Sequence, residues 1–320
     1  MLFFHGVERQ ISDEHSQVLH VGQERFARFL EDAKRTRLFL GLEEMMDLCR
    51  KMRLPKNALV ISFDDGYANN LHVALPVLKS LDIPSIVYLS TQFIGGNEML
   101  PTTVARLALR FTSLTELKLT GFDQAILLRD PLERETALAR VSSTLKKLPG
   151  PAAERVTKEL RALLSEREWY QLSERFQSER FLSWDEVREL ARAGVAIGAH
   201  GHSHLPLHAG HDPVAIEEQV ILSRQRVETE IGSCHHFAYP NGGPTDICRG
   251  AVDAIRRSGF RTAASTYPAV LSPHMNPLIL PRICAYDMRS IHRRSLRLAV
   301  DGASKGLKNW ADTLCAERDG

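Results

Sequence analysis

The chain has 320 residues, 43% hydrophobic and 25% charged, with a formal net charge of +2. That balance is ordinary for a soluble globular protein with a substantial core, and it gives no electrostatic case for a nucleic-acid partner. No apolar run approaches the length of a membrane span, and the opening Met1-Leu2-Phe3-Phe4-His5-Gly6 lacks the charged-then-apolar layout of a signal peptide.

In chain order, Leu2 to Phe4 reads as a short strand ending at His5. Residues 26–37 and 42–52 have the apolar spacing of helices, with Pro55 closing the second. Leu59-Val60-Ile61-Ser62-Phe63 is an apolar, β-branched run that reads as a buried strand, and it ends in Asp64-Asp65-Gly66. Adjacent residues at a strand end point to opposite sides, so the two carboxylates need not share a job: one can hold a metal while the other handles a proton. A helix over 69–81 and a strand over 84–90 follow, and this strand–helix–strand alternation implies parallel pairing with helices outside. Residues 95–180 are dominated by Leu, Arg, Glu and Lys and are broken by Pro131 and Pro149-Gly150-Pro151. They read as a helical insertion that braces the core, with a lid or partner surface as the alternative.

Regular order resumes at Ser183-Trp184-Asp185-Glu186, a capping-box start for a helix that stops at Gly194. Strands are expected at 195–199, 235–239, 260–266 and 278–283, and helices at 213–231 and 246–258. The tail sets Arg289, Arg293, Arg294 and Arg297 beside Ile291, Leu296 and Leu298. This pattern fits a charged outer helix face, with peripheral contact to an anionic membrane as a second reading. The five cysteines (Cys49, Cys234, Cys248, Cys284 and Cys315) are odd in number, scattered and without a CxxC pair, which points to free thiols in a reducing, cytoplasmic setting.

The second half carries His200-Gly201-His202-Ser203-His204, directly after the strand over 195–199. With 13 histidines in the chain, chance supplies about half an HxxxH pair, so spacing alone carries little. Position carries more. Strand ends on one side of a parallel sheet converge, and one carboxylate with two imidazoles makes a three-ligand set that leaves positions open for water and substrate. His202, between the two, should point elsewhere, and His208 and His211 should lie on the surface.

Taken together, Phe63-Asp64-Asp65-Gly66, His200-xxx-His204 and Phe237-Ala238-Tyr239-Pro240-Asn241-Gly242, in this order, resemble the polysaccharide deacetylases of the NodB-homology type (carbohydrate esterase family 4). The likeness is to a subgroup with a YPxG-type third motif, and the opening Phe4-His5-Gly6-Val7 is similar to one subgroup's start. The resemblance implies a distorted (β/α) barrel, built from residues 1–94 and 181–286 around the insertion at 95–180 and followed by a helical tail at 287–320. It implies a metal-dependent hydrolase that removes N- or O-acetyl groups from a sugar or glycan precursor. Asp65, His200 and His204 would hold a divalent ion, Zn²⁺ first, with Co²⁺ or Ni²⁺ as alternatives. Asp64 would be the general base, and Tyr239 and Asn241 would lie on the oxyanion and substrate side, the Asn241 N–H helping to form the oxyanion hole.

Two departures from the family pattern follow. Ala238 stands where the third motif usually opens with an arginine, and the late LxH that supplies an acid is replaced by Leu280-Pro281-Arg282-Ile283-Cys284. Arg282 is therefore expected to take the missing arginine's place beside Asp64, and His5 to be the general acid. The same departures leave room for a related amide hydrolase, such as a deformylase or a deacetylase of a non-glycan substrate. A glycan- or metal-binding relative without catalysis is the third reading.

Overall fold

The structure is a computed structural model that describes residues 1–13, 15–285 and 314. The arginine-bearing tail expected from 287 onward lies outside the described residues. Seven strands form one sheet: β1 (Leu2–Phe4), β2 (Ile61–Phe63), β3 (Ser85–Leu89), β4 (Ala196–Ala199), β5 (His236–Ala238), β6 (Thr262–Ala264) and β7 (Ile283–Cys284). Every pairing is parallel, in the order β6-β5-β4-β3-β2-β1-β7. Leu280 bridges Ala264 at one edge of this sheet, while Ile283 sits beside Leu2 of β1 at the other. One stretch of chain thus reaches both edges, and the sheet curls into a half-barrel. Pro281, which has no N–H to give, divides that stretch, so the strand expected over 278–283 is reduced to a bridge and two paired residues.

Strand alternation sorts the core. Val87 and Leu89 of β3 pack with the covering helices, whereas Ile86 and Tyr88 meet Val60, Ala238, Ala264 and Leu280, residues drawn from both sides of the curl. The helix expected at 26–37 lies at Gln23–Lys34, starting from Gly22. The one expected over 69–81 opens as a π-turn at Asn70–Ala74 before the α-helix Leu75–Ser80. Pro76 cannot donate to the carbonyl four residues back, which accounts for the wider turn. Short two-residue and three-residue pairings at Gly6–Glu8 with His20–Gly22, at Leu38–Phe39 with Ala58–Leu59, and at Glu116–Leu117 with Ile126–Leu127 carry no pattern long enough to read from sequence.

Residues 101–175 supply four helices, Pro101–Phe111, Pro131–Leu145, Gly150–Arg161 and Glu166–Arg175, around their own buried cluster. The prolines start these helices rather than merely separating them, because the first turn needs no N–H from them. The return to the sheet is fixed at Phe181, which stacks on Tyr67 at 4.9 Å and on Phe93 at 5.4 Å. The flanking backbone is tied by Ala68 N–H to the Arg180 carbonyl and Leu182 N–H to the Gly66 carbonyl. Phe181→Ala should therefore lower unfolding free energy by about 3–5 kcal/mol, as truncation of a buried aromatic does. Denaturant unfolding would check this, and a change below about 1 kcal/mol would show that the stack is dispensable.

Candidate functional site

The strand ends converge as the sequence implies, but the two carboxylates separate by a different device. β2 stops at Phe63, the Asp64 N–H bonds the Phe4 carbonyl, and Asp65 turns left-handed at φ 71°, followed by Gly66 at φ 90°. The backbone turn, not strand alternation, aims Asp65 at the histidines. His204 (φ 59°) and Asn241 (φ 60°) are left-handed as well. For non-glycine residues this conformation is costly and persists only where the surroundings impose it. The loop 201–204 is imposed by Gln219, whose side-chain oxygen accepts from the N–H groups of His202 and Ser203. The carbonyls of Gly201 and His202 accept from the N–H groups of Thr91 and Gln92.

Asp65, His200 and His204 come together with their ligand atoms all within 4.8 Å of one another. His200 donates Nδ1–H to the Ala238 carbonyl at 2.8 Å, so its Nε2 lone pair faces the Asp65 carboxylate at 3.5 Å. Burial pushes His200 down to about 4, against the pull of Asp64, which leaves the ring neutral at neutral pH. Burial alone would raise Asp65, but His204 and the other histidines outweigh it and hold that carboxyl well below the usual range. Asp65 Oδ1 is buried and has no hydrogen-bond partner. A lone pair and an ionised carboxylate oxygen aimed at one point fit a bound cation, and two nitrogens with one oxygen suit a late first-row divalent ion.

Asp64 takes a separate role in the geometry. Its two oxygens receive a fork from Arg282, Nη1 to Oδ1 at 2.6 Å and Nη2 to Oδ2 at 2.8 Å. Arg282 is fully buried. Its Nε donates to the Ser265 carbonyl, Nη1 also reaches Ser62 Oγ, and the guanidinium lies over the Phe3 ring at 4.7 Å. Burial raises the Asp64 carboxyl, but Arg282 outweighs this and holds it below the ordinary carboxylate range. His5 stands on the same side, with Nε2 3.9 Å from Asp65 Oδ2. Burial lowers its pKa, and Asp65 and Asp64 oppose that.

A cavity of about 390 Å³ opens over these groups, with His5, Asp64, Asp65, His200, His204, Asn241 and Thr266 in its wall. Among the described residues, no acceptor takes the Asn241 N–H, while its carbonyl accepts from Thr266 Oγ1. Tyr239, expected on the substrate side, is withdrawn from the cleft. Its ring is buried and its hydroxyl donates to the Leu278 carbonyl, because residues of β5 and beyond alternate and Tyr239 falls on the core side. His202 turns away to Thr91, and His274 is exposed outside the cleft. His211, expected at the surface, is buried against His208, with ring centroids 4.0 Å apart. The sequence reading missed Gln219, whose signal is a polar side chain adjoining the apolar row Ile216, Val220 and Val227 of its helix. It also missed Thr102, Arg106, Leu138 and Lys146, which bring helices of the 95–180 segment into the cavity wall.

The curled parallel half-barrel matches the fold of the NodB-type deacetylases. The polysaccharide deacetylase family model matches residues 121–263, which takes in the His200–His204 loop and the third motif but not Asp64 and Asp65. The match starts inside the segment read as an insertion. Among solved structures, the chain is similar to the Streptococcus pyogenes deacetylase PplD in complex with acetate, at 15% identity over 88% of this chain and 90% of that one, with TM-score 0.56. It is similar to IcaB from Ammonifex degensii at 16% identity over 94% and 96%, with TM-score 0.55. A de-N-acetylase from Aggregatibacter actinomycetemcomitans aligns at 13% identity over 93% and 98%, with TM-score 0.52. At such identities the likeness is one of fold. No curated protein matches the sequence. The resemblance to polysaccharide deacetylases drawn from the three motifs holds in both the family model and the fold.

Removing Arg282 leaves the buried Asp64 carboxyl without its charged partner. Arg282→Ala should cost about 3–5 kcal/mol of stability, and Arg282→Lys, which keeps the charge but not the fork, should cost less. Denaturant unfolding of both variants checks this, and an Arg282→Ala protein as stable as the parent would contradict the pairing.

Proposed function

We propose that the chain is a metal-dependent hydrolase that removes an acetyl group from a sugar or glycan precursor. The observation that carries this reading is the orphaned Asp65 Oδ1 facing His200 Nε2 and His204 Nε2, beside a second carboxylate that is held ionised outside the set. Asp65, His200 and His204 would hold the ion. When bound, it would polarise the acyl carbonyl and acidify a water at the cleft floor.

The protein's own groups do the rest. Asp64, kept ionised and oriented by the Arg282 fork, takes the proton of the attacking water. The Asn241 N–H, left without an acceptor by its turn, donates to the oxyanion as the carbonyl becomes tetrahedral. His5 delivers a proton to the departing nitrogen or oxygen. Burial lowers the pKa of His5 against the pull of Asp65 and Asp64, and the proton that His5 gives up is balanced by the one that Asp64 takes from the water. Among the described residues no helix is long and apolar enough to cross a membrane. Among the described residues Cys49, Cys234 and Cys248 form no disulfide.

Incubation with a chelator should abolish acetate release from acetylated sugars, and Zn²⁺ or Co²⁺ should restore it; full activity in metal-free protein would end the proposal. The two carboxylates should separate in mutants. Asp65→Asn should lose metal, whereas Asp64→Asn should keep it while kcat falls roughly 10²–10⁴-fold, the usual contribution of general base catalysis. Metal content and kcat measured side by side decide the roles, and the opposite pattern would reverse them. Formate in place of acetate would move the enzyme to a related amide hydrolase.

A further inference from the structure

The cavity above the Asp–His–His set continues into a groove between two helices of the 95–180 segment. Helix Pro101–Phe111 presents Thr102, Arg106 and Arg110 at four-residue intervals, and helix Pro131–Leu145 with its C-cap presents Arg134, Leu138, Ser142 and Lys146 in the same way. Residues four apart share a face and climb about 6 Å per step. Thr102 and Lys146 therefore stand at the His–Asp end, and Arg110 and Arg134 at the far end. A second cavity of about 320 Å³ occupies that far end and shares Arg106 and Leu138 with the first.

The groove is cationic. Apart from Asp64 and Asp65, its charged wall residues are Arg106, Arg110, Arg134 and Lys146 against the single acid Glu135. Arg110 is matched by Asp13 at 3.4 Å and Glu135 at 3.7 Å. Arg106 pairs with buried Glu179 at 2.8 Å, yet its Nε is buried without a hydrogen-bond partner, and the side chain is only 6% exposed. Arg134 spends its fork on the carbonyls of Leu109, Thr112 and Leu114 and meets no carboxylate among the described residues. Lys146, exposed in the wall of the first cavity, likewise meets no carboxylate among the described residues. Arg106 and Arg110 are thus balanced by acids, and the groove cations that meet no carboxylate among the described residues are Arg134 and Lys146, both on the groove-facing row of helix Pro131–Leu145 with its C-cap, with Lys146 in the cavity above the Asp–His–His set.

We propose that this groove binds a sugar substrate carrying an anionic group, a phosphate or a carboxylate, with Lys146 as the specificity-determining residue. The proposal rests on the deacetylase reading for its substrate class, but not for the charge argument. It is tested by calorimetric titration of the metal-loaded full-length protein with N-acetylglucosamine, N-acetylglucosamine 1-phosphate and N-acetylmuramic acid at low ionic strength. One or both anionic sugars should bind at least about tenfold tighter than the neutral one, with the tighter arm naming phosphate or carboxylate. The advantage should shrink as salt is raised and collapse in Lys146→Glu. Equal binding of all three, no binding of any, or an advantage that survives in Lys146→Glu would overturn the groove assignment; the last would place the anion at the metal centre instead. Acetate release measured in parallel on the same sugars keeps the outcomes distinct. Preference for the anionic sugars without acetate release from any of them would refute the deacetylase reading and leave the groove intact.

Discussion

A guanidinium shut inside a parallel barrel has no water around it, so every one of its contacts has to be supplied by the strands that enclose it. Arg282 meets this demand with Asp64 from the end of β2, Ser62 within β2, the Ser265 carbonyl beyond β6, and the face of Phe3 in β1. The contacts come from across the sheet, so the pair is satisfied only when the barrel is curled and the β7 segment is seated between its edges. Neither charge would be tolerated alone at this depth. The same pair fixes the ionisation and orientation of the carboxylate that lies beside the Asp–His–His set. Closure of the fold and preparation of the site are therefore one interaction.

The other side of the site depends on backbone that would not choose its conformation unaided. Asp65, His204 and Asn241 are all left-handed, and each sits where a strand end gives way to a loop. The Asp65 carbonyl accepts from Ser90 N–H, Gln219 ties the loop before His204, and Thr266 holds the Asn241 carbonyl. Gly242 completes the last turn at φ 67°, where a side chain would press within 3.0 Å of the Tyr239 carbonyl and Thr266 nitrogen. The arrangement is pre-set by hydrogen bonds from neighbouring segments of the chain. That is the expected way to hold ligand and donor atoms within a few tenths of an ångström.

The helical segment at 95–180 is coupled to this framework through charge as well as through Phe181. Glu179 and Arg106 form a buried pair, and His20 Nε2 lies 3.3 Å from Glu179. Asn69, which contacts the other nitrogen of His20, also accepts from the Val7 backbone. A continuous polar chain thus leads from the wall of the groove to the strand ends around β1 and β2. The segment is built into the cleft rather than resting on it, although its composition alone reads as a solvated bundle.

The sequence by itself determined the strand–helix alternation, the parallel sheet, and the identity of the groups at its carboxyl edge. Buried strands read as continuous β-branched runs, and short polar motifs directly after them have one place to go. The resemblance singled out Arg282, in Leu280-Pro281-Arg282-Ile283-Cys284, as the stand-in for the arginine that the third motif lacks. The residues by themselves left open which carboxylate faces the histidines, and only the resemblance named Asp65; tertiary structure supplied the means, a left-handed turn at Asp65 that any Asp-Asp-Gly could make or refuse. It alone turned Tyr239 into the core, brought Gln219 to the histidine loop, and laid two distant helix faces along the cleft. These are contacts between residues far apart in the chain, and local periodicity carries no record of the partner that a side chain will meet.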